Sequence, residues 1–179
     1  MDAGSNMLYP SQVVDGIVHQ LGGKPLLKEI QWKQKLNLFG NVCPIGTCIM
    51  TSDGNKELVD RYFKVVHAAP PFYESRRKDE SIRLLEECYE SSFEMAFDSI
   101  HWKGHDGTRV VACPLIGAGA RGFPINIAIE AASRQSLKWL NNNDCEQQNK
   151  CSQDELLVFG IMEEYIAKDL VDALECERK

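Results

Sequence analysis

Arg109-Val-Val-Ala-Cys-Pro-Leu-Ile116 runs directly into Gly117-Ala-Gly-Ala-Arg-Gly-Phe123, and Pro124 then opens a long segment with apolar residues at helical spacing. The first stretch is a near-continuous apolar run, the pattern of a central strand buried on both faces. Pro114 brings no N–H, so a bulge or a missing ladder bond is expected there. The second stretch is small residues. Without side chains the backbone N–H groups can approach a ligand, and successive N–H groups form a concavity that suits an anion. The helix expected over residues 124–140 adds the positive end of its dipole. In open α/β sheets, the carboxyl ends of strands are where ligands sit, and this turn falls at one. Gly117, Gly119 and Gly122 spell G-x-G-x-x-G. No suitably placed acidic residue completes a dinucleotide fingerprint, and no Gly-Lys-Ser/Thr closes a P-loop. Taken alone, the pattern fits a phosphate site or a tight strand-to-helix turn with no ligand.

Working outward, apolar spacing predicts a helix over residues 13–21, with Val13, Val14, Ile17, Val18 and Leu21 on one face. Gly22-Gly23 stops it and Pro25 opens the next turn, so a second helix is expected over 26–38 with Leu27, Ile30 and Leu38 on its stripe. Residues 47–51 and 63–69 read as short strands, bounded by Ser52-Asp53-Gly54 and by Pro70-Pro71. A long helix is expected over 80–97, with Ile82, Leu85, Cys88, Tyr89, Phe93 and Ala96 inward. Residues 141–154 are polar and Asn-rich and read as loop. A last strand over 156–161 and a last helix over 167–174 follow. Strands alternating with helices give an α/β fold, a sheet between helical layers.

The chain has 179 residues, seven of them cysteine, with a formal net charge of −6. That length suits one domain. The acidic balance lacks the basic face of a duplex binder, and acidic neighbours dilute Arg76-Arg77-Lys78, so no nucleic-acid partner is expected. The cysteines form no C-x-x-C pair, and no His lies at ligand spacing from them. Neither a disulfide framework nor a metal site is expected, and a reducing compartment, cytoplasmic or nuclear, fits. Residues 1–12 read as loop and 13–179 as one domain. Neither a signal peptide nor a membrane span is expected.

With these segments in order, the chain resembles a macrodomain. Residues 116–124 are similar to the family's loop S-T-G-I-Y/F-G-Y/F-P: Gly119, Gly122, Phe123 and Pro124 match, while Gly117, Ala118 and Arg121 differ. Val14-Asp15-Gly16-Ile17-Val18-His19 is similar to V-D-G-x-I-H. Cys43-Pro44-Ile45-Gly46, followed by Thr51, is similar to C-P-x-G-x-A-x-x-T. Val65-Val66-His67-Ala68-Ala69-Pro70 is similar to V-I-H-x-V-G-P. Glu87-Cys88-Tyr89 before Phe93 and Ala96 resembles the helix C-Y-x-x-S-L-x-x-A. The resemblance implies a three-layer α/β/α sandwich on a mixed sheet. It also implies ADP-ribose or an ADP-ribosylated protein as partner and no metal or redox cofactor. By the same resemblance Val14, Gly16, Gly117, Ala118, Gly119, Ala120, Arg121, Gly122 and Phe123 bind ADP-ribose. Asp15 is then the catalytic candidate, orienting a water beside the distal ribose. His19 and His67 read as packed residues, and Ile161, Met162 and Tyr165 as core or cap residues.

The chain departs from the family at its start. Pro10-Ser11-Gln12-Val13 stands where the family has a glycine run, and no adenine-contacting Asp is evident. Counting back from Asp15 puts Ser5 at the family's catalytic Asn, with Asn6 one place on; Asn6 is taken as the second catalytic candidate. The family's usual N-terminal strand has no counterpart in this reading, which implies an open sheet edge that a second copy of the chain could cover. Three functional readings follow: hydrolysis of mono-ADP-ribose from protein or of O-acetyl-ADP-ribose, non-catalytic reading of ADP-ribose, or a degenerate domain kept for protein contact.

Overall fold

The computed structural model describes residues 14–36, 43–98, 107–146 and 155–177. The first helix, α1 (Val14–Leu36), is two helices joined at a kink. Gly23 sits there at φ 59°, ψ −148°, a backbone that side-chain-bearing residues avoid, and Pro25 restarts the helix two residues on. Leu26 and Ile30, one turn apart, are fully buried. The inward stripe therefore runs through Leu26 rather than Leu27, and Val14 and Ile17 are exposed instead of facing the core.

β1 (Cys48–Thr51) and β2 (Val65–Ala68) form an antiparallel ladder, with Ile49 opposite His67 and Met50 opposite Val66. A short helix that the sequence pattern did not suggest, α2 (Lys56–Val59), bridges them and buries Leu58. The long helix α3 (Lys78–Phe97) buries Leu85, Cys88, Tyr89, Phe93 and Ala96, the stripe its spacing predicts. β3 (Arg109–Pro114) and β4 (Glu155–Gly160) form a parallel ladder in unbroken register to the pair Pro114 and Gly160. Pro114 ends the strand instead of bulging it, because a terminal position needs no further N–H. α4 (Ile125–Glu146) and α5 (Glu164–Glu177) complete the order. α4 runs past Leu140 into the segment expected to be loop. Asn is a mediocre helix former but no breaker, and an established helix adds residues cheaply.

The layers follow from the alternation of side chains. α1 covers one face of β1–β2, where Leu26, Ile30, Leu58, Val18 and Leu21 pack with Ile49 and Val65. α3 covers the opposite face, where the Cys48 thiol donates to the Ser91 carbonyl at 3.2 Å. α3, α4 and α5 together cover one face of β3–β4, burying Leu85, Tyr89, Phe93, Phe123, Ile127, Ile166 and Leu170 against Val111, Cys113, Leu157 and Phe159. Among the described residues this makes a helix layer, a sheet layer of two ladders and a second helix layer. The expectation of a strand buried on both faces fails for β3. Its residues alternate half-buried and exposed, and Val110 is 50% exposed, because the described helices cover only one side.

Candidate functional site at the glycine-rich turn

The turn after β3 is held from beneath. The Ile116 N–H donates to the hydroxyl of the fully buried Tyr89 at 2.8 Å. The Phe123 N–H donates to the Gly117 carbonyl, and the Gly122 N–H to the Gly119 carbonyl. Gly117 takes φ 92°, and a Cβ there would stand 3.1 Å from Phe123 and 3.3 Å from Leu85. A methyl group would meet both a forbidden backbone region and a packed floor. At Gly119 and Gly122 a Cβ would meet nothing within 4 Å, so the turn is filled below and open above.

Within this frame the N–H groups of Ala118, Gly119, Ala120 and Arg121 have no hydrogen-bond acceptor among the described residues. Four successive amides left unpaired in a tight turn make the anion-binding concavity the sequence suggests. The turn is also clamped from the side. The Tyr73 N–H donates to the Arg121 carbonyl at 2.9 Å, and the Tyr73 ring packs on the buried Phe123 at 5.3 Å between centroids. The Arg121 guanidinium lies 4.5 Å over the Phe72 ring. Sequence reasoning missed this clamp. Its signal was Pro70-Pro71, which stiffens the chain just before an aromatic pair.

Asp15 lies in the first turn of α1 with its carboxylate partly exposed and 3.6 Å from Nε2 of the buried His19. The His19 ring meets the His67 ring edge-on at 6.1 Å, and Nε2 of His67 shares a 2.8 Å hydrogen bond with the buried Thr51 hydroxyl. Burial, then the neighbouring His19, push His67 down to about 4, so it is neutral at neutral pH. Asp15, His19 and His67 place ligand atoms within 4.8 Å of one another, a nitrogen-and-oxygen set of the kind divalent metals accept. Thr51 already occupies one nitrogen of that set. Burial lowers the Arg121 pKa, opposed by the negative charge of Asp15. The loop and the start of α1 thus converge, with Arg121 and Asp15 within electrostatic reach.

Of the residues singled out from sequence, Gly117–Phe123 stand together in the turn, and Val14, Asp15 and Gly16 stand at the start of α1. Ser5 and Asn6 lie outside the described residues. Met162 is 92% and Tyr165 61% exposed, so neither is a core residue. Met162 lies just beyond β4 and Tyr165 early in α5.

The sequence profile of the macro domain family matches residues 3–132. The chain belongs to that family. A macro domain-containing protein of Listeria monocytogenes is 33% identical over 139 residues, spanning 78% of this chain and 70% of that protein. A Citrobacter koseri protein named O-acetyl-ADP-ribose deacetylase is 31% identical over 132 residues, 74% of this macrodomain and 66% of the relative. The Oceanobacillus iheyensis macrodomain solved with ADPR superposes at a TM-score of 0.72 and 22% identity, covering 96% of this chain and 81% of that one. This superposition shows the fold. The α/β architecture read from the sequence and the macrodomain resemblance are both upheld.

Proposed function

We propose that this macrodomain binds ADP-ribose, with the diphosphate against the amides of residues 118–121 and the distal ribose beside Asp15. The observation that carries the reading is the run of four amides without an acceptor among the described residues, in a turn whose floor is packed and whose upper side is open. Such donors, already aimed by the fold, favour an anion without reorganisation. Relatives named O-acetyl-ADP-ribose deacetylase support the same ligand class. Titration calorimetry with ADP-ribose tests it: saturable heat is expected, and no heat at millimolar ligand would remove the reading.

A second, catalytic reading is favoured by the Asp15 carboxylate, backed at 3.6 Å by a buried imidazole. Asp15 would orient a water toward an acyl or glycosyl linkage on the distal ribose. Water adds across that linkage, leaving free ADP-ribose and the released acid. The substrates supported are O-acetyl-ADP-ribose or a mono-ADP-ribosylated acidic side chain. Product release by wild type and its loss in Asp15→Ala would support catalysis; binding without turnover would leave a reader.

A further inference from the structure

Of the two loop positions where the family pattern quoted above carries an aromatic ring, Phe123 keeps one and Arg121 replaces the other, and its surroundings are unusual for a cation. Nη1 of the guanidinium is buried and has no hydrogen-bond partner among the described residues. Leaving a charged donor buried and unpaired is costly, and native structures seldom tolerate it without a reason. The side chain is not loose. Its guanidinium carbon lies over the Phe72 ring, and its own carbonyl is held by the Tyr73 N–H. The acidic group within electrostatic reach is Asp15, which the proposed function reserves for the sugar. Arg121 also follows directly on the three other residues whose amides have no acceptor among the described residues, so one residue carries both an open amide and an unpaired guanidinium nitrogen.

We propose that the Arg121 guanidinium is a side-chain anion site, completing the amide concavity with a planar donor for the diphosphate of the ligand. This rests on the ADP-ribose reading and adds to it a side-chain contact particular to this chain, one that strengthens discrimination against an uncharged nucleoside. The chemistry suits Arg rather than Lys, because a rigid fork can meet two phosphate oxygens while the guanidinium stays beside Phe72. It also accounts for the unpaired nitrogen. In the free protein the donor is held ready by Phe72; in the complex it meets a phosphate oxygen.

The test uses the full chain with ADP-ribose, AMP, adenosine and inorganic pyrophosphate, followed by calorimetry and thermal shift. Arg121→Gln should weaken ADP-ribose about ten- to a hundred-fold and abolish the pyrophosphate shift while changing adenosine little. Arg121→Lys, which keeps the charge and loses the fork, should fall between. The wild-type affinity should drop more steeply with salt than that of Arg121→Gln. Melting temperatures of both variants guard against misfolding, and the Lys variant keeps the test open if the Gln variant is unstable. Equal ADP-ribose and pyrophosphate binding by wild type and a folded Arg121→Gln would overturn this inference and leave the ADP-ribose reading standing. Pyrophosphate binding that depends on Arg121, with no ADP-ribose binding, would do the reverse.

Discussion

β1–β2 is covered on both faces, by α1 and by α3, whereas β3–β4 is covered by helices on one face and leaves Val110, Leu156 and Val158 40–50% exposed on the other. The antiparallel ladder accordingly buries polar groups and must satisfy them: Thr51 and His67 are both inside and bonded to each other. The parallel ladder buries none of its own and is closed at its start by an Arg109–Glu155 ion pair at 3.1 Å. Helix α3 spans both ladders. It bonds Cys48 at one end and, through Leu85 and Tyr89, supports the turn after β3. The candidate site lies where the two halves meet, using a helix start from one and a loop from the other.

The sharpest way to break this comparison is to cut the same side chain on a shared and on an open surface. Leu85→Ala removes a fully buried leucine that lies under both the core and Gly117, and should cost about 3 kcal/mol. Leu156→Ala, from a residue 49% exposed, should cost about 1 kcal/mol. Denaturant midpoints measure both. Equal costs would mean that the two faces of β3–β4 are equally covered.

Next in size is a pair of glycine substitutions in the turn. Gly117→Ala forces a methyl group into φ 92° and toward Phe123, and should destabilise by about 2 kcal/mol. Gly119→Ala meets nothing within 4 Å and should shift stability by less than about 0.5 kcal/mol. Its methyl group enters the open side, so ADP-ribose affinity should still fall. A Gly119→Ala protein that binds as tightly as wild type would put the ligand elsewhere.

How much of this was legible in the sequence depends on what carries each feature. α3 was legible because its inward stripe recurs strictly at helical spacing, and β3 because it is a continuous apolar run. The Gly23 kink was legible because glycine and proline act locally. The burial of β3 was not. A run of Val, Ala and Cys reads the same whether one face or two are covered, and coverage is a property of distant helices. The turn's amides were legible as a cluster of small residues. Their clamp was not, since Phe72 and Tyr73 reach the loop from almost fifty positions away. His67 read as packed in the strand, as it is. That it faces His19 and so ties β2 to the start of α1 depends on tertiary contact.

The covered ladder should also show a pH signature that the open one lacks. His67 is held down to about 4 by burial, against an ordinary value near 6.5. The unfolded chain therefore takes up a proton at this residue below pH 6.5 while the folded chain does not, until pH approaches 4. Stability from this group is complete above about pH 7 and declines as pH falls through that window. By pH 5.5 the loss should be about 1.4 kcal/mol. His67→Gln, which can keep a hydrogen bond to Thr51, should remove that part of the slope between pH 7.5 and 5.5. An unchanged slope would place the titration elsewhere.

The smallest effect is expected on the open face. Val110 stands opposite Leu156 in the parallel register, and the next outward pair is Ala112 with Val158. If nothing packs on this face, the methyl groups of Val110 sit in water, and replacing one with a hydroxyl removes little burial and strands no polar group. Val110→Thr should then change the unfolding free energy by less than about 0.5 kcal/mol. The same change at Val111, whose side chain faces α3, α4 and α5, would bury a hydroxyl among apolar neighbours and cost about 1–3 kcal/mol. The contrast between two adjacent residues measures coverage directly, because strand propensity and backbone are common to both. A Val110→Thr cost as large as that at Val111 would show a second covering layer over β3–β4, and the ladders would then differ in composition but not in environment.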